Sequence, residues 1–328
     1  VYKRQGYEGS AVAIQPSTGK VLAMASNPGY NPNDLMGDSA EDNWANLQEQ
    51  EGQPLVNHAG AETLPPGSIF KIITTAAGLN NGFDPSSTLT GSNVITLPDT
   101  VTELTNYANQ KCNGQDSVTL QTAFALSCNT AFVEMSEQIG ADELRKYAKA
   151  FGVGENYDLG VSTSGGTLGD LPDGAATAQS AIGQRDVTMT ALQAAVMAGT
   201  VANKGTRMQP YLVNRITDAQ MKDVRTTKPK KADQAVNEET AATLTDLMYA
   251  SERSSWGYDG NGFASKTGTA EHGEGLAPHV WYVAFDPERD IAVGVVVKNG
   301  GNLGESATGG KVSGPIGRAI LRAYQGEQ

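Results

Sequence analysis

Two serines in this chain are each followed three residues later by a lysine: Ser17 with Lys20, and Ser68 with Lys71. A hydroxyl becomes a useful nucleophile when a base stands beside it, so the question is whether the backbone aligns either pair. Around Ser68 it does. After the abrupt stop Pro65-Pro66-Gly67, apolar Ile69, Ile72, Ile73, Ala76 and Leu79 recur at helical spacing over Ser68–Asn80. Residues three apart on a helix share a face. The helix N-terminus also carries partial positive charge and free N–H groups. That charge, with burial, disfavours the ammonium form and moves the lysine toward a working base, while the N–H groups can stabilise a developing oxyanion. Ser17 and Lys20 lie instead in Gln15-Pro16-Ser17-Thr18-Gly19-Lys20, between the apolar runs Ala11–Ile14 and Val21–Ser26, which reads as a hairpin turn with no helix to align them. Ser-x-x-Lys is expected about once by chance in a chain of this length, so Ser68 needs company.

Two further clusters supply it. Ser127-Cys128-Asn129 falls where one helical segment, apolar at Val118, Leu120, Ala123, Phe124 and Leu126, breaks before another that starts near Thr130. Taken alone, the cluster reads as helix capping, since Ser and Asn satisfy free backbone N–H groups. Lys266-Thr267-Gly268-Thr269 lies inside the strand-like run Phe263–Glu271. Lys-Thr-Gly is expected in only roughly one chain in ten of this size, and a glycine weakens a strand unless the strand bulges or something approaches its backbone.

The elements that must position these residues follow from the same patterns. The opening hairpin is followed by a loop-like stretch, Asn27–Gln53, and then by the helices. Thr190-Ala191-Leu192-Gln193 has capping-box form and opens a helix to about Ala202. Asn237 caps a helix over Glu238–Tyr249, and the basic run Lys228–Lys231 reads as a solvated loop. Strand-like runs at Phe263–Glu271, Val280–Phe285 and Ile291–Lys298 precede a last helix, Pro315–Tyr324. Strands at both ends with helices between predict an α+β fold: one antiparallel sheet assembled from both termini, with the central helices as a second lobe.

Composition narrows the function. The 328 residues carry 24 Lys+Arg against 36 Asp+Glu, a net charge of −12, which excludes a nucleic-acid binder needing a basic face. With 39% hydrophobic and 18% charged residues the chain is globular in composition. No stretch approaches the ~18 unbroken apolar residues of a membrane span. His58, His272 and His279 complete no metal-ligand spacing with Cys112 and Cys128. The two cysteines are open to two readings, free buried thiols or one disulfide in an oxidising compartment. The start at Val1, with neither Met nor a signal-like segment, reads as a fragment whose targeting or anchoring element would lie upstream.

In chain order, Ser-x-x-Lys, Ser-x-Asn and Lys-Thr-Gly resemble the motif set of penicillin-binding proteins and serine β-lactamases. The flanking residues are similar, more narrowly, to the transpeptidase domains of class B penicillin-binding proteins, nearest the actinobacterial A-type. The matching stretches are Leu64-Pro65-Pro66-Gly67-Ser68-Ile69-Phe70-Lys71, Ser127-Cys128-Asn129-Thr130-Ala131-Phe132 and Ser265-Lys266-Thr267-Gly268-Thr269-Ala270-Glu271, with further matches at Ala181–Gln184, Ala202–Gly205 and His279–Val283. The resemblance runs from about Ser10 to Tyr324. It implies a five-stranded antiparallel sheet flanked by helices, a mainly helical lobe, and an active site between them. Residues 1–9 would be the remnant of an upstream linker and 10–328 the transpeptidase domain, with a sheet lobe from about 10–30 and 255–328 and a helical lobe over about 65–250. One departure is His58, which stands where family members often have Arg.

Residue by residue, the resemblance implies that Ser68 is the acylated nucleophile and Lys71 its base. Ser127 would relay a proton toward the leaving amine, Asn129 would hold side chains and the substrate amide, and Lys266 would support the Ser127 hydroxyl. Thr267 and Thr269 would bind a terminal carboxylate beside the strand edge at Gly268, and the backbone N–H groups of Ser68 and Thr269 would form the oxyanion hole. No metal or organic cofactor is implied. The implied substrate is a peptidoglycan stem peptide ending in D-Ala-D-Ala, with β-lactam antibiotics as covalent inhibitors and membrane division or elongation proteins as partners. The site of action would be the extracytoplasmic face of the cell membrane, reached by an N-terminal anchor outside this chain. That compartment weights Cys112 and Cys128 toward a disulfide. The alternatives are a D,D-carboxypeptidase or β-lactamase of the same fold, or a penicillin-binding sensor. No Glu-x-x-x-Asn loop, the mark of a class A β-lactamase, occurs between Gly154 and Gln184.

Overall fold

A computed structural model describes residues 6–273 and 275–325. The chain opens with β1 (Gly9–Ile14) and β2 (Val21–Asn27), then α1 (Ala40–Glu49) and the single turn α2 (His58–Ala61). A 3-10 turn, Gly67–Phe70, runs directly into α3 (Lys71–Leu79). Next come the short strands β3 (Thr88–Thr90), β4 (Val94–Thr96), β5 (Glu103–Thr105) and β6 (Ser117–Thr119), followed by α4 (Leu120–Leu126), α5 (Asn129–Ala150), α6 (Gly174–Ala181) and α7 (Ala191–Ala202). Four more short strands, β7 (Thr206–Met208), β8 (Arg215–Thr217), β9 (Asp223–Thr226) and β10 (Lys231–Gln234), lead to α8 (Glu238–Ser254). The last elements are β11 (Ala264–Ala270), β12 (His279–Asp286), β13 (Ile291–Val297) and α9 (Gly309–Gln325).

The two ends of the chain meet in one sheet of order β11-β12-β13-β1-β2, every neighbouring pair antiparallel. This is the antiparallel sheet that the terminal runs predicted, with the five strands that the family resemblance implied. β12 and β13 are buried at every position, because helices cover both faces. On one side α9 lays Val312, Ile316 and Leu321 against Val280, Tyr282, Val293 and Val295. On the other, α7 lies between the sheet and the remaining helices, buried from Ala191 to Val201. A helix enclosed on all sides has no polar face, and α7 accordingly carries no charged residue. It reaches the sheet at Gly294, where a side-chain carbon would lie 2.5 Å from the Ala191 carbonyl and 2.6 Å from the Ala195 nitrogen. Both neighbours are backbone and cannot rotate away.

Several expectations need correction. Folded structure begins before residue 10: Tyr7 is buried and donates its hydroxyl to Asn302 Oδ1 at 2.8 Å, and Gly9 pairs with both Val297 and Asn27. Residues 1–5 of the expected linker remnant lie outside the described residues. The stretch Asn27–Gln53 is not wholly loop, since it contains α1. No residue of α1 is buried, so it shows no apolar stripe for periodicity to detect. Helix α8 runs on to Ser254, past the expected end at Tyr249. Helix α9 starts at Gly309, six residues before the expected start. Gly309, Gly310 and Gly314 have low helix propensity, which hid the first turns. The sheet requires small residues there, because a carbon on Gly309 would meet the carbonyls of Trp281 and Gly268. The basic run ends in β10, whose Lys231 pairs with Met208 on an exposed edge.

The Gly294 contact yields the first expected outcome. Gly294→Ala forces α7 off the sheet, and overpacking of this kind costs about 1–3 kcal/mol. Urea unfolding should show a lower midpoint with an unchanged slope; an unchanged midpoint would mean that α7 docks elsewhere.

Candidate active site

The turn that carries Ser68 is fixed from two directions. Trp281 in β12 donates its indole N–H to the Pro65 carbonyl at 2.8 Å, and the Gly67 N–H donates to the Gly183 carbonyl at 2.9 Å. Gly67 adopts φ +53°, a conformation that costs glycine little. A side chain there would also meet the Thr269 carbonyl at 3.0 Å and Ala270 Cβ at 3.1 Å. The nucleophile turn thus lies directly against the Lys-Thr-Gly strand. Gly268 serves the same approach from the opposite side: a side-chain carbon there would sit 2.6 Å from the Pro66 carbonyl. The strand has no bulge, since the pairing of β11 with β12 is in register throughout.

Lys71 opens α3 and is completely buried. Its Nζ donates to the Ser127 carbonyl at 2.8 Å and to Asn129 Oδ1 at 2.8 Å, with Ser127 Oγ at 3.3 Å. The Phe132 ring centroid lies 5.1 Å away. Burial holds the Lys71 pKa well below its usual value, and the charge of Lys266 lowers it further. Lys266, also completely buried, donates from Nζ to Ser127 Oγ at 2.9 Å and to the Thr267 carbonyl at 3.1 Å, with the Phe124 ring centroid at 5.7 Å. Burial brings its pKa down to about 7. Aromatic faces attract cations, which partly offsets the loss of water for whichever of the two amines is protonated.

Ser127 ends α4 with φ 62° and ψ 39°, left-handed values that are unusual for a non-glycine residue. The conformation turns both its hydroxyl and its carbonyl toward Lys71. Three features hold it there. The Cys128 N–H donates to the Ala123 carbonyl at 2.9 Å. Asn129, the first residue of α5, donates from Nδ2 to the Thr105 carbonyl at 3.1 Å. Cys128, between them, is bonded to Cys112 with a Cα–Cα distance of 5.7 Å across a separation of 16 residues. Closing a loop of that length stabilises the fold by about 3 kcal/mol in the chain-entropy account.

Ser68, Ser127, Asn129, Thr267 and Thr269 all line one cleft of about 1180 Å³ between the sheet and the helices. Lys71 and Lys266 lie beneath its floor, bonded to Ser127. Ser17 and Lys20 lie in a turn: the Gly19 N–H donates to the Gln15 carbonyl at 2.8 Å, and the Ser17 N–H donates to Asp290, in the turn between β12 and β13, at 2.9 Å. Phe124, Phe132 and the Thr105 carbonyl were not foreseen. The phenylalanines looked like ordinary core positions, and a backbone carbonyl leaves no trace in sequence. Among the described residues no cluster of His, Cys, Asp or Glu could hold a metal ion, and no helix is long and apolar enough to cross a membrane.

Residues 9–322 match the family of penicillin binding protein transpeptidase domains. The chain is 45% identical to the peptidoglycan D,D-transpeptidase PbpA of Mycolicibacterium smegmatis over 96% of its own length and 66% of that protein. It is 43% identical to PbpA of Mycobacterium tuberculosis, over 98% of its length and 68% of that protein. It thus spans about two thirds of these relatives. Among solved structures, penicillin-binding protein A from M. tuberculosis as a ceftriaxone acyl-enzyme complex superposes with a TM-score of 0.93 at 41% identity, covering 97% of this chain and 74% of that one.

The two buried lysines make a pH dependence with a definite sign. The folded pKa of Lys266, about 7, lies below the unfolded value of roughly 10.4. Between those values the unfolded chain binds more protons, so stability contributed at this site rises with pH. Lys266→Met, which removes the buried charge, should therefore stabilise the fold most at low pH. Urea midpoints of the two proteins should converge between pH 7 and pH 10; a constant or widening gap contradicts a buried, depressed Lys266.

Proposed function

This chain belongs to the penicillin-binding protein transpeptidase family, and from that premise we propose that it is a penicillin-sensitive D,D-transpeptidase acting through an acyl-enzyme on Ser68. The observation that supports this most directly is the arrangement around Lys71: a fully buried amine, one helical turn from Ser68, whose shortest bonds run to two oxygen acceptors. A neutral amine has two hydrogens and one lone pair. With its hydrogens given to the Ser127 carbonyl and Asn129 Oδ1, Lys71 keeps the lone pair for a proton from Ser68.

The donor is a stem peptide ending in D-Ala-D-Ala. Ser68 Oγ attacks the carbonyl of the penultimate residue while its proton passes to Lys71. The negative charge that develops on the carbonyl oxygen is met by the N–H groups of Ser68 and Thr269. Lys266 donates to Ser127 Oγ, which leaves the Ser127 hydrogen to be delivered to the departing amine and to be replaced from Lys71. The C–N bond breaks, terminal D-Ala leaves as a neutral amine, and an ester to Ser68 remains. An amine of a second stem peptide then attacks the ester, its proton returns to Ser68 through Lys71, and the product is a cross-link. Thr267, Gly268 and Thr269 on the open edge of β11 bind the donor's terminal carboxylate and extended backbone, with Lys266 supplying positive charge nearby. β-Lactams enter as mimics of that terminus. This chemistry belongs on the extracytoplasmic side of the membrane, in a protein anchored upstream of this domain and working beside membrane division or elongation proteins. Two named relatives are peptidoglycan D,D-transpeptidases, and a similar structure carries a β-lactam acyl group.

A fluorescent penicillin should label the domain once per chain and should leave Ser68→Ala unlabelled. Lys71→Ala should acylate about 10²–10⁴-fold more slowly, the usual contribution of a general base. Labelling that survives Ser68→Ala would overturn the assignment. Fast release of hydrolysed drug would make the domain a β-lactamase. Labelling without turnover of a thioester donor and an amine acceptor would make it a sensor.

A further inference from the structure

The alternation of β11 places Ser265, Thr267 and Thr269 on the face that α9 covers, opposite Lys266 and Gly268. Beneath that face lies a polar cluster that the reaction above leaves unused. Glu252 in α8, fully buried, accepts at Oε2 from Ser265 Oγ and from the Tyr282 hydroxyl at 3.0 Å. At Oε1 it accepts from Arg318 Nε at 2.7 Å and Asn261 Nδ2 at 2.9 Å. These four donors fill the acceptor capacity of one carboxylate.

Arg318 projects from α9 and is 3% exposed. With Nε fixed by Glu252 and its guanidinium 5.5 Å from the Tyr282 ring centroid, its remaining nitrogens have defined directions. Nη1 donates to the Trp256 carbonyl at 3.1 Å, and Nη2 donates to Ser255 Oγ at 3.2 Å. Ser255 borders the same cleft as Ser68, Thr267 and Thr269. Its position there is bounded by α9: a side-chain carbon on Gly310 would lie 3.0 Å from Ser255 Oγ, and one on the adjacent Gly309 would lie 2.7 Å from the Gly268 carbonyl. Ser255 therefore stands on the α9 side of the cleft that Thr267 and Thr269 also line. A serine hydroxyl has one hydrogen to give. Arg318 occupies Oγ as a donor, and among the described residues no group accepts the Ser255 hydrogen.

We infer that Ser255 is a further binding residue for the anionic end of the acylating ligand, held as a hydrogen-bond donor by Arg318, with Arg318 and Glu252 as positioning residues. This rests on the transpeptidase reading above, because it assigns the carboxylate of a D-Ala terminus or a β-lactam to this end of the cleft. A donor that already accepts from a guanidinium is polarised, and bonds to charged groups are the strong ones.

The test uses the whole domain with two probes, penicillin G and its neutral carboxamide, in rapid-mixing acylation that separates initial binding from the limiting rate. Ser255→Ala should weaken initial binding of penicillin G about tenfold, the scale of one hydrogen bond to a charged group. The limiting rate and the binding of the carboxamide should change less than about twofold. Arg318→Lys should reproduce the selective loss, and it should add nothing to it in a Ser255→Ala background. Equal weakening for both probes, or none, overturns the inference even if Arg318→Lys does not fold. Absence of Ser68 labelling in the unaltered domain defeats the transpeptidase reading instead, so the two failures are distinct.

Discussion

Two lysine side chains, both removed from water, converge on the hydroxyl of Ser127. Isolated buried ammonium groups are costly, and two beside each other repel. The arrangement persists because at least one amine can be neutral, and the surroundings decide which. Burial lowers both, but Lys71 also feels the charge of Lys266, whereas for Lys266 burial alone is the cause of the shift. The repulsion therefore works toward the division of labour that a hydroxyl nucleophile needs, one amine holding a lone pair and one holding a charge.

Most of the architecture around this point prevents relaxation. If Ser127 returned to a right-handed conformation, its carbonyl would swing away and Lys71 would lose a 2.8 Å acceptor. The break between α4 and α5, the Asn129 bond to Thr105 and the cystine at residue 128 each oppose that rotation. From the sheet side, Trp281 holds Pro65, and the bare backbones of Gly67 and Gly268 let the nucleophile turn and β11 touch. Sub-ångström placement of this kind belongs to rigid elements rather than loops, and here Ser127 sits at a junction made rigid by covalent closure.

The sequence made the local devices readable. The box at Thr190 and Gln193 is present in both halves, with bonds of 3.1 and 3.0 Å, because its partners lie within one turn of chain. The apolar runs at the two termini likewise marked the sheet. What escaped depends on distant partners. Gly268 raised the choice between a bulge and a close approach, and only the position of Pro66 decides it. Helix α1 has no buried face to reveal it, and the opening of α9 is written in glycines that a helix alone would avoid. The clustering of Ser68, Lys71, Ser127 and Lys266 was legible through family resemblance; spacing alone left Ser127 as a cap. Glu252 offered a weaker sign, a carboxylate four residues beyond Met248 on a stripe that includes Ala241 and Leu244.

The bond from Lys266 to Ser127 also crosses between the two halves of the molecule, joining residues 139 positions apart. Its strength depends on the charge of Lys266, whose pKa burial brings down to about 7. An anion bound beside β11 favours the ammonium form. The same event then strengthens the hydrogen bond to Ser127 Oγ and, through repulsion, disfavours a proton on Lys71. Binding of negative charge on the sheet side is in this way linked to the basicity of an amine on the helical side, with no movement of backbone required. A neutral ligand of identical shape would only remove more water from the two amines, without favouring the ammonium form of Lys266.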